Sequence, residues 1–290
     1  MKLSHNRAVL VMLLVAFLWS TAGVVTRHLE AARSFEVTFW RSFFTLMSLL
    51  VILPFFKGRE VFTKLRQADR MFWISGLCWC AMFTFYMLAL TLASVANVLV
   101  TLSIGPLVTA LFARIFIGHK VPLRTWVAIV VAGIGIAWMF GSQLTGVQLF
   151  GTLVALAVPL AGAANWTLTQ HAHAKGHDVD LVTAVLVGAF FSCLITLPMA
   201  WPFQATAHDV SLLAGLGLFQ LAIPCVLSVV CAQVLKAPEM SLLALLEVPL
   251  GILLAWLGAN EAPNAAVLTG GALVIGALVV NEWIGWRQRQ

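Results

Sequence analysis

The sequence is poor in charged residues. Only 10% of its 290 residues are Asp, Glu, Lys or Arg, whereas a soluble domain carries about 25%. Apolar residues make up 61% of the chain, and the mean hydropathy is +0.99. A single globule in water cannot bury that much apolar surface, so the sequence excludes a water-soluble fold and indicates that lipid is the solvent.

Short motifs of catalysis and of cofactor binding are also missing. The sequence has no G-x-x-x-x-G-K loop for a nucleotide, no H-E-x-x-H for zinc and no C-x-x-C among its five cysteines. His171, His173 and His177 cluster beside Asp178, where a solvated loop is the first interpretation and a metal site the alternative. We therefore expect no enzyme activity, cofactor or metal, and any transport must run on gradients.

Long apolar runs fill the chain instead, separated by short polar breaks. A membrane helix needs about 20 mostly apolar residues. Ten runs approach this length, and they predict an all-α integral membrane protein with ten transmembrane helices. The predicted spans are 8–26, 35–56, 71–91, 95–117, 122–140, 148–170, 180–200, 211–235, 239–258 and 265–284.

The positive charges lie almost entirely on one side of these predicted spans. If the N-terminus is cytoplasmic, 14 of the 17 Lys and Arg residues fall in cytoplasmic segments, while the outer loops hold only Arg27 and Arg33. This asymmetry is the positive-inside signal, and it predicts that both termini are cytoplasmic. The net charge of +6 therefore reflects topology and does not indicate a nucleic-acid partner.

The two halves of the chain resemble each other. Trp19 and Trp166 lie in similar segments of spans one and six, and Pro106 and Pro249 occupy spans four and nine at an offset of 143 residues. Since each half has five spans, the second half enters the membrane from the opposite side. This pattern predicts two inverted repeats, 1–142 and 143–290, with a substrate site near the membrane centre between them.

These same segments resemble the EamA-type branch of the drug/metabolite transporter superfamily. The residues that carry the likeness are the A-x-x-W segments at Trp19 and Trp166, the run 86–97, Pro106, and 246–249 with Asn260 and Glu261. The chain departs from the family at Gly118 and His119, where an acidic residue is common. The resemblance implies a ten-helix carrier with alternating access. Bacterial members of this length look like amino-acid exporters, including the YddG-type exporters of aromatic amino acids.

Aromatic residues recur on one face of span three. Trp79, Phe83 and Tyr86 stand at i, i+4 and i+7, and Tyr86 is the only tyrosine in the chain. This spacing predicts an aromatic wall of a substrate pocket. The alternative is helix packing in which the tyrosine hydroxyl caps a backbone group.

Two prolines predict bends in spans four and nine. Asn97 and Thr101 share a polar face of span four, and Pro106 should free the carbonyl group of Leu102 and bend the helix there. Pro249 occupies the matching position of span nine. We expect Asn97 and Thr101 to bind substrate and the two prolines to act in gating, with interhelical hydrogen bonding as the alternative for the polar pair.

Three further positions are predicted to line the pocket besides Trp19. Asn165 and Trp166 lie in span six, at the point that matches Trp19, and Ser241 lies in span nine. Polar groups at membrane depth need water or a partner, which makes each a candidate for substrate contact. Tight packing near the middle of the helices is the alternative interpretation.

Ionisable residues inside predicted spans are functional candidates by default. Glu247 lies deep in span nine, where it is predicted to bind substrate, to carry a coupling proton or only to support packing. Arg41 lies about two turns into span two, and its stem could snorkel to the headgroups or its guanidinium could hold a substrate carboxylate. Gln220 and Gln233 are secondary candidates.

Glycines in spans five and ten suggest how the last helix of each half packs. Spans five and ten are expected to form a backing pair through small residues. Those residues are Gly133, Gly135, Gly270, Gly271 and Gly276.

Together these patterns predict a secondary transporter in a bacterial inner membrane that exports small metabolites. Amino acids, aromatic ones included, are the favoured substrates because the candidate wall is rich in Trp and Phe. An exporter of drugs or cationic metabolites is the alternative, and a lipid scramblase or membrane enzyme is less favoured. The expected partners are a small-molecule substrate and the lipid bilayer, and nothing in the residues specifies an oligomer.

Overall fold

The computed structural model describes residues 4–32, 34–58, 69–118, 121–141, 146–174, 181–232, 234–235 and 243–287, and this part of the chain contains helices and no strand. The helices are α1 (His5–Thr26), α2 (Ser34–Lys57), α3 (Arg70–Leu92), α4 (Val95–Leu102), α5 (Gly105–Phe112), α6 (Leu123–Gly141), α7 (Gly146–Ala174), α8 (Leu181–Ala200), α9 (Ala207–Gly215), α10 (Ile223–Ala232), α11 (Glu247–Ala259) and α12 (Ala265–Arg287). π-Helical segments at Ala113–Ile117 and Leu216–Ala222 continue α5 and join α9 to α10.

The apolar runs of the sequence coincide with these helices. Within the described residues, eight helical stretches are long and apolar enough to cross a membrane, and shorter apolar helices occupy Leu123–Met139 and Glu247–Ala259. The hydropathy of the sequence predicts the helix positions because a helix satisfies its backbone hydrogen bonds internally, and a chain in lipid must do so. The chain is thus a multi-pass helical membrane protein.

Proline marks interruptions in spans four and nine. α4 ends at Leu102, Ser103 and Ile104 form a turn, and α5 begins at Gly105 with Pro106 in its first turn. Similarly, a turn at Leu245 and Leu246 precedes α11, which carries Pro249 in its first turn. Since proline supplies no backbone N–H, each helix breaks in the preceding turn, as the sequence predicted.

α6 packs along α12, as expected for the backing pair. A Cβ atom added at Gly135 would lie 2.7 Å from the carbonyl oxygen of Gly270, so the two backbones are in close contact. Gly271 approaches α4 instead, where an added Cβ would lie 3.1 Å from Val100. The expectation for Gly133 and Gly276 was wrong, because an added Cβ at either glycine meets nothing within 4 Å. Only one face of α6 reaches α12, and a glycine two residues away in a helix lies on another face.

Helices from the two halves of the chain form the centre of the bundle. α3 packs against α7 and α8, and α2 packs against α8 and the π-helical segment Leu216–Ala222. α1 packs against α11 and α10, and α4 packs against α11 and α7. Apart from Ser241, which lies outside the described residues, the residues predicted to bind substrate lie on these central helices.

Candidate functional site

Arg41 is the most deeply buried cation among the described residues. Only 2% of its surface is exposed, although it lies within the apolar helix α2. The snorkelling interpretation was therefore wrong: the side chain points into the bundle. A guanidinium group in such a place is costly unless it has polar partners, which makes this position a candidate for function.

Gln220 provides the principal partner of Arg41. The Nε and Nη2 atoms of Arg41 donate hydrogen bonds to Oε1 of Gln220 at 3.1 and 2.8 Å. Gln220 in turn donates from Nε2 to the carbonyl oxygen of Trp19 at 3.3 Å. The relay joins α2, the π-helical segment and α1, while Nη1 of Arg41 has no hydrogen-bond partner among the described residues.

The local sequence explains why Gln220 reaches Arg41. Pro224 cannot donate to the carbonyl group of Gln220 four residues earlier, and this favours the wider π-helical turn at Leu216–Ala222. Gly217 permits close approach, because an added Cβ there would lie 2.9 Å from the carbonyl oxygen of Arg41. The hydroxyl group of Thr45 also donates to the carbonyl oxygen of Gly217 at 3.2 Å. These contacts fix the π-helical segment against α2.

The aromatic face predicted on α3 lies beside the guanidinium group. The Arg41 Cζ atom is 5.9 Å from the centroid of the Phe83 ring and 5.6 Å from that of the Tyr86 ring. The Trp79 ring lies 5.6 Å from the Phe83 ring. Both Nε1 of Trp79 and Oη of Tyr86 are buried without hydrogen-bond partners among the described residues. The three aromatic candidates therefore form one wall with unused donors next to Arg41.

Glu247 brings a negative charge to the same region. It is the first residue of α11, is half-buried, and interacts electrostatically with both Arg41 and Tyr86. The thiol of Cys225, in α10, also interacts with Arg41. A cation and an acid from different halves of the chain thus face one central region, an arrangement suited to a ligand with both charges.

The candidates on α1 and α4 make mainly local contacts. The Trp19 side chain is partly buried and packs against the apolar cluster that contains Met12, Val15 and Cys231, so only its carbonyl group joins the Arg41 relay. Asn97 is 2% exposed and its Oδ1 atom has no hydrogen-bond partner among the described residues. Thr101 is fully buried and donates to the carbonyl oxygen of Asn97 at 2.7 Å, within its own helix.

The two neighbouring candidates on α7 differ in their surroundings. Asn165 is fully buried and accepts a hydrogen bond of 2.6 Å from the hydroxyl group of Ser75 on α3. Trp166, by contrast, is 48% exposed. Ser241, Gln233 and His177 lie outside the described residues. His171 and His173 belong to the last turn of α7, not to a loop as expected.

Arg41 and Gln220 were not among the principal candidates in the sequence, yet their side chains meet in the structure. The available signal was an arginine eight residues into α2, within an otherwise apolar stretch, because a cation so far from the helix start needs an interior partner. Gln220 offers no comparable signal alone, since its role depends on a residue 179 positions away.

Known proteins resemble this chain over nearly its whole length. The pseudopaline exporter CntI from two strains of Pseudomonas aeruginosa, UCBPP-PA14 and PAO1, is 22% identical over 280 residues, covering 93% of this chain and 94% of the relative. A solved crystal structure with 18% sequence identity superposes with a TM-score of 0.67, covering 99% of this chain and 100% of that one. This last likeness establishes the fold.

The first half of the chain also matches a known family. Residues 6–141 match the EamA-like transporter family. The family match and the similarity to an exporter agree with the buried polar site on central membrane helices, and both indicate transport of small metabolites. The resemblance to the EamA-type branch of the drug/metabolite transporter superfamily is therefore confirmed.

Proposed function

We propose that this chain is a secondary carrier that exports small zwitterionic metabolites, amino acids above all, across a bacterial inner membrane by alternating access. The observation that carries the proposal is the buried guanidinium group of Arg41, held by Gln220 beside the rings of Phe83 and Tyr86. Glu247 lies within electrostatic range of it. Arg41 binds the substrate carboxylate, Glu247 faces the ammonium group, and the rings of Trp79, Phe83 and Tyr86 contact the apolar side chain.

The hydrogen-bond geometry around Arg41 supports this assignment. Arginine has five N–H donors in a planar fork, and Gln220 engages only the Nε and Nη2 atoms. Nη1 remains for the carboxylate, with the hydroxyl group of Tyr86 nearby to add a further donor. Charge-assisted bonds of this kind are the strong ones, about 1.5–3 kcal/mol each.

Helix packing supports an inverted-repeat carrier with ten spans, and the distribution of Lys and Arg supports cytoplasmic termini. If the two halves are related by symmetry, span one corresponds to span six, and span four corresponds to span nine. Each contact between helices should then have a counterpart between the corresponding helices. α1 packs on α11, and its counterpart contact joins α7 with α4. Likewise the contact of α6 with α12 joins the last helix of each half. Paired contacts of this sort are expected if the halves rock about a central pocket.

A buried cation argues against the alternatives. Arg41 would repel cationic drugs, whereas it attracts carboxylates at short range. Its position inside the bundle also differs from the lipid-facing polar groove that a scramblase needs.

Counterflow in liposomes tests the proposal. Purified protein would be assayed with labelled phenylalanine, leucine and glutamate, and with two matched analogues: phenylethylamine, which lacks the carboxylate, and phenylpropionate, which lacks the amine. We expect transport of one or more amino acids and little of either analogue. Arg41→Gln should abolish amino-acid transport, and Glu247→Gln should reduce it while relaxing the requirement for the amine.

Two results would contradict the proposal. One is transport of phenylethylamine at least as fast as that of phenylalanine, which would favour a cation exporter. The other is an Arg41→Gln protein that is folded and carries amino acids at the wild-type rate.

A further inference from the structure

Four connecting segments meet at one end of the helical bundle. They are residues 27–32, 93–94, 201–206 and 260–264, and carboxylates join them to one another and to the adjoining helix ends. The distribution of Lys and Arg assigns this end to the outside of the membrane. These segments therefore border the outer end of the helices that carry the central site.

Arg27 and Glu261 form the first set of contacts, which we term the outer clamp. The Nε atom of Arg27 donates to Oε2 of Glu261, while Nη1 and Nη2 donate to the carbonyl oxygens of Leu90 and Ala93 at 2.6 and 2.7 Å. The other carboxylate oxygen of Glu261 accepts from the backbone N–H of Val95 at 2.6 Å. Two side chains thereby join the ends of α1, α3 and α4 to the segment after α11.

Glu36 and Asp209 make the other contacts. Asp209 accepts hydrogen bonds from the backbone N–H groups of Glu30, Ala31 and Ala32 at 2.8–2.9 Å. Glu36 accepts from the backbone N–H groups of Gln204 and Ala205 at 2.8–3.0 Å. These bonds attach the segment before α2 to the first turn of α9, and α2 to the α8–α9 connection.

Burial distinguishes the two sets. Asp209 and Glu36 are 0% and 1% exposed, so separating them from their N–H donors would leave buried carboxylates unsatisfied. The side chains of Arg27 and Glu261 are 26% and 22% exposed, and water can replace each partner as they separate. The outer clamp is therefore the part of this end that opens at the lower cost.

We infer that the outer clamp is the gate contact that breaks when the central site opens to the outside, while Asp209 and Glu36 hold their segments together throughout. The helices that the clamp joins also form the central site: α3 carries Tyr86, and α11, which begins at Glu247, ends two residues before Glu261. Separation of Arg27 from Glu261 thus frees α1 and α3 from α11 on the outer side of the site.

Cys225 provides a reporter inside the bundle. It lies near Arg41 and is 4% exposed. In a protein whose other four cysteines are replaced by alanine, a membrane-impermeant anionic methanethiosulfonate applied from outside reaches Cys225 only when the outer end is open. No substrate is added, so failure of this inference and failure of the proposed function are separate results.

Glu261→Gln removes the ion pair but keeps an oxygen for the N–H of Val95. We expect it to raise the labelling rate of Cys225 on the order of fivefold, as loss of one partly exposed ion pair allows. Arg27→Lys keeps the positive charge but loses the planar guanidinium group, so its Cys225 should be labelled at a rate between those of the wild type and Glu261→Gln. This variant provides a second test if Glu261→Gln folds poorly. The matched control is Asp209→Asn, which should lower thermal stability while the labelling rate stays within about twofold of wild type.

The inference is overturned if both clamp variants, eluting as monodisperse protein, are labelled at the wild-type rate. It is equally overturned if Asp209→Asn raises labelling as much as Glu261→Gln does, because the two sets of contacts would then act alike.

Discussion

Replacing Gly217 with alanine should separate the π-helical segment from α2 and disconnect Arg41 from Gln220. An added Cβ atom would lie 2.6 Å from the Cβ of Phe44, about 0.8 Å inside the 3.4 Å limit of ordinary contact. Two of its neighbours, the N atom of Thr45 at 2.8 Å and the O atom of Arg41 at 2.9 Å, belong to backbone and cannot rotate away. The helices must therefore move apart by several tenths of an ångström.

That displacement has two measurable consequences. Overpacking of this kind costs about 1–3 kcal/mol, which outweighs the roughly 0.5–1 kcal/mol by which alanine favours a helix over glycine. A shift of about 0.8 Å would also lengthen the 2.8 Å bond between Arg41 and Gln220 beyond hydrogen-bonding distance. We expect Gly217→Ala to be destabilised by about 1–2 kcal/mol and to lose most of its counterflow activity.

Gly215→Ala is the matched control, because it lies two residues earlier and an added Cβ meets nothing within 4 Å. Thermal unfolding in detergent, followed by tryptophan fluorescence, compares the variants, with Tm falling by about 2–4 °C for each kcal/mol lost. Gly215→Ala should match or slightly exceed the stability of the wild type. If Gly217→Ala proved as stable and as active as Gly215→Ala, the close contact at Arg41 would be refuted.

Two other substitutions test the site and the backing pair. Arg41→Lys keeps the positive charge near Glu247 but loses the planar fork, so the KM for amino-acid counterflow should rise about 10- to 100-fold; an unchanged KM would show that the carboxylate does not need the fork. Gly135→Ala places a Cβ 2.7 Å from the carbonyl oxygen of Gly270 and should destabilise the protein by about 1–3 kcal/mol. Gly133→Ala, in open space on the same helix, should be neutral in the same unfolding measurement. If the two substitutions changed the stability equally, the close contact between α6 and α12 at Gly135 would be refuted.

Helix positions followed from the sequence because they depend on local chemistry. Apolar runs of about 20 residues match the thickness of a bilayer, and α3 begins and ends within one residue of the span predicted at 71–91. The break before Pro106 was also predictable, since proline lacks the N–H that the helix needs. The aromatic face of Trp79, Phe83 and Tyr86 required only the helical repeat.

The sequence did not show which of these residues meet. Gly133 and Gly135 look alike in the chain, yet only Gly135 contacts α12, because helix rotation decides which face is covered. Asn165 and Trp166 are neighbours, but one is buried against Ser75 and the other is half exposed. Composition and spacing are the same on either face of an apolar helix, so they carry no information about this choice.

The sequence alone therefore determined that this chain is a multi-pass helical membrane protein, because hydropathy and backbone satisfaction act over one helix at a time. Tertiary structure alone decided that Arg41 points inward to Gln220, 179 residues away, and that Arg27 meets Glu261 across 234 residues. The physical reason is that a buried ion is stabilised by partners from other helices, and only the packed bundle specifies those partners.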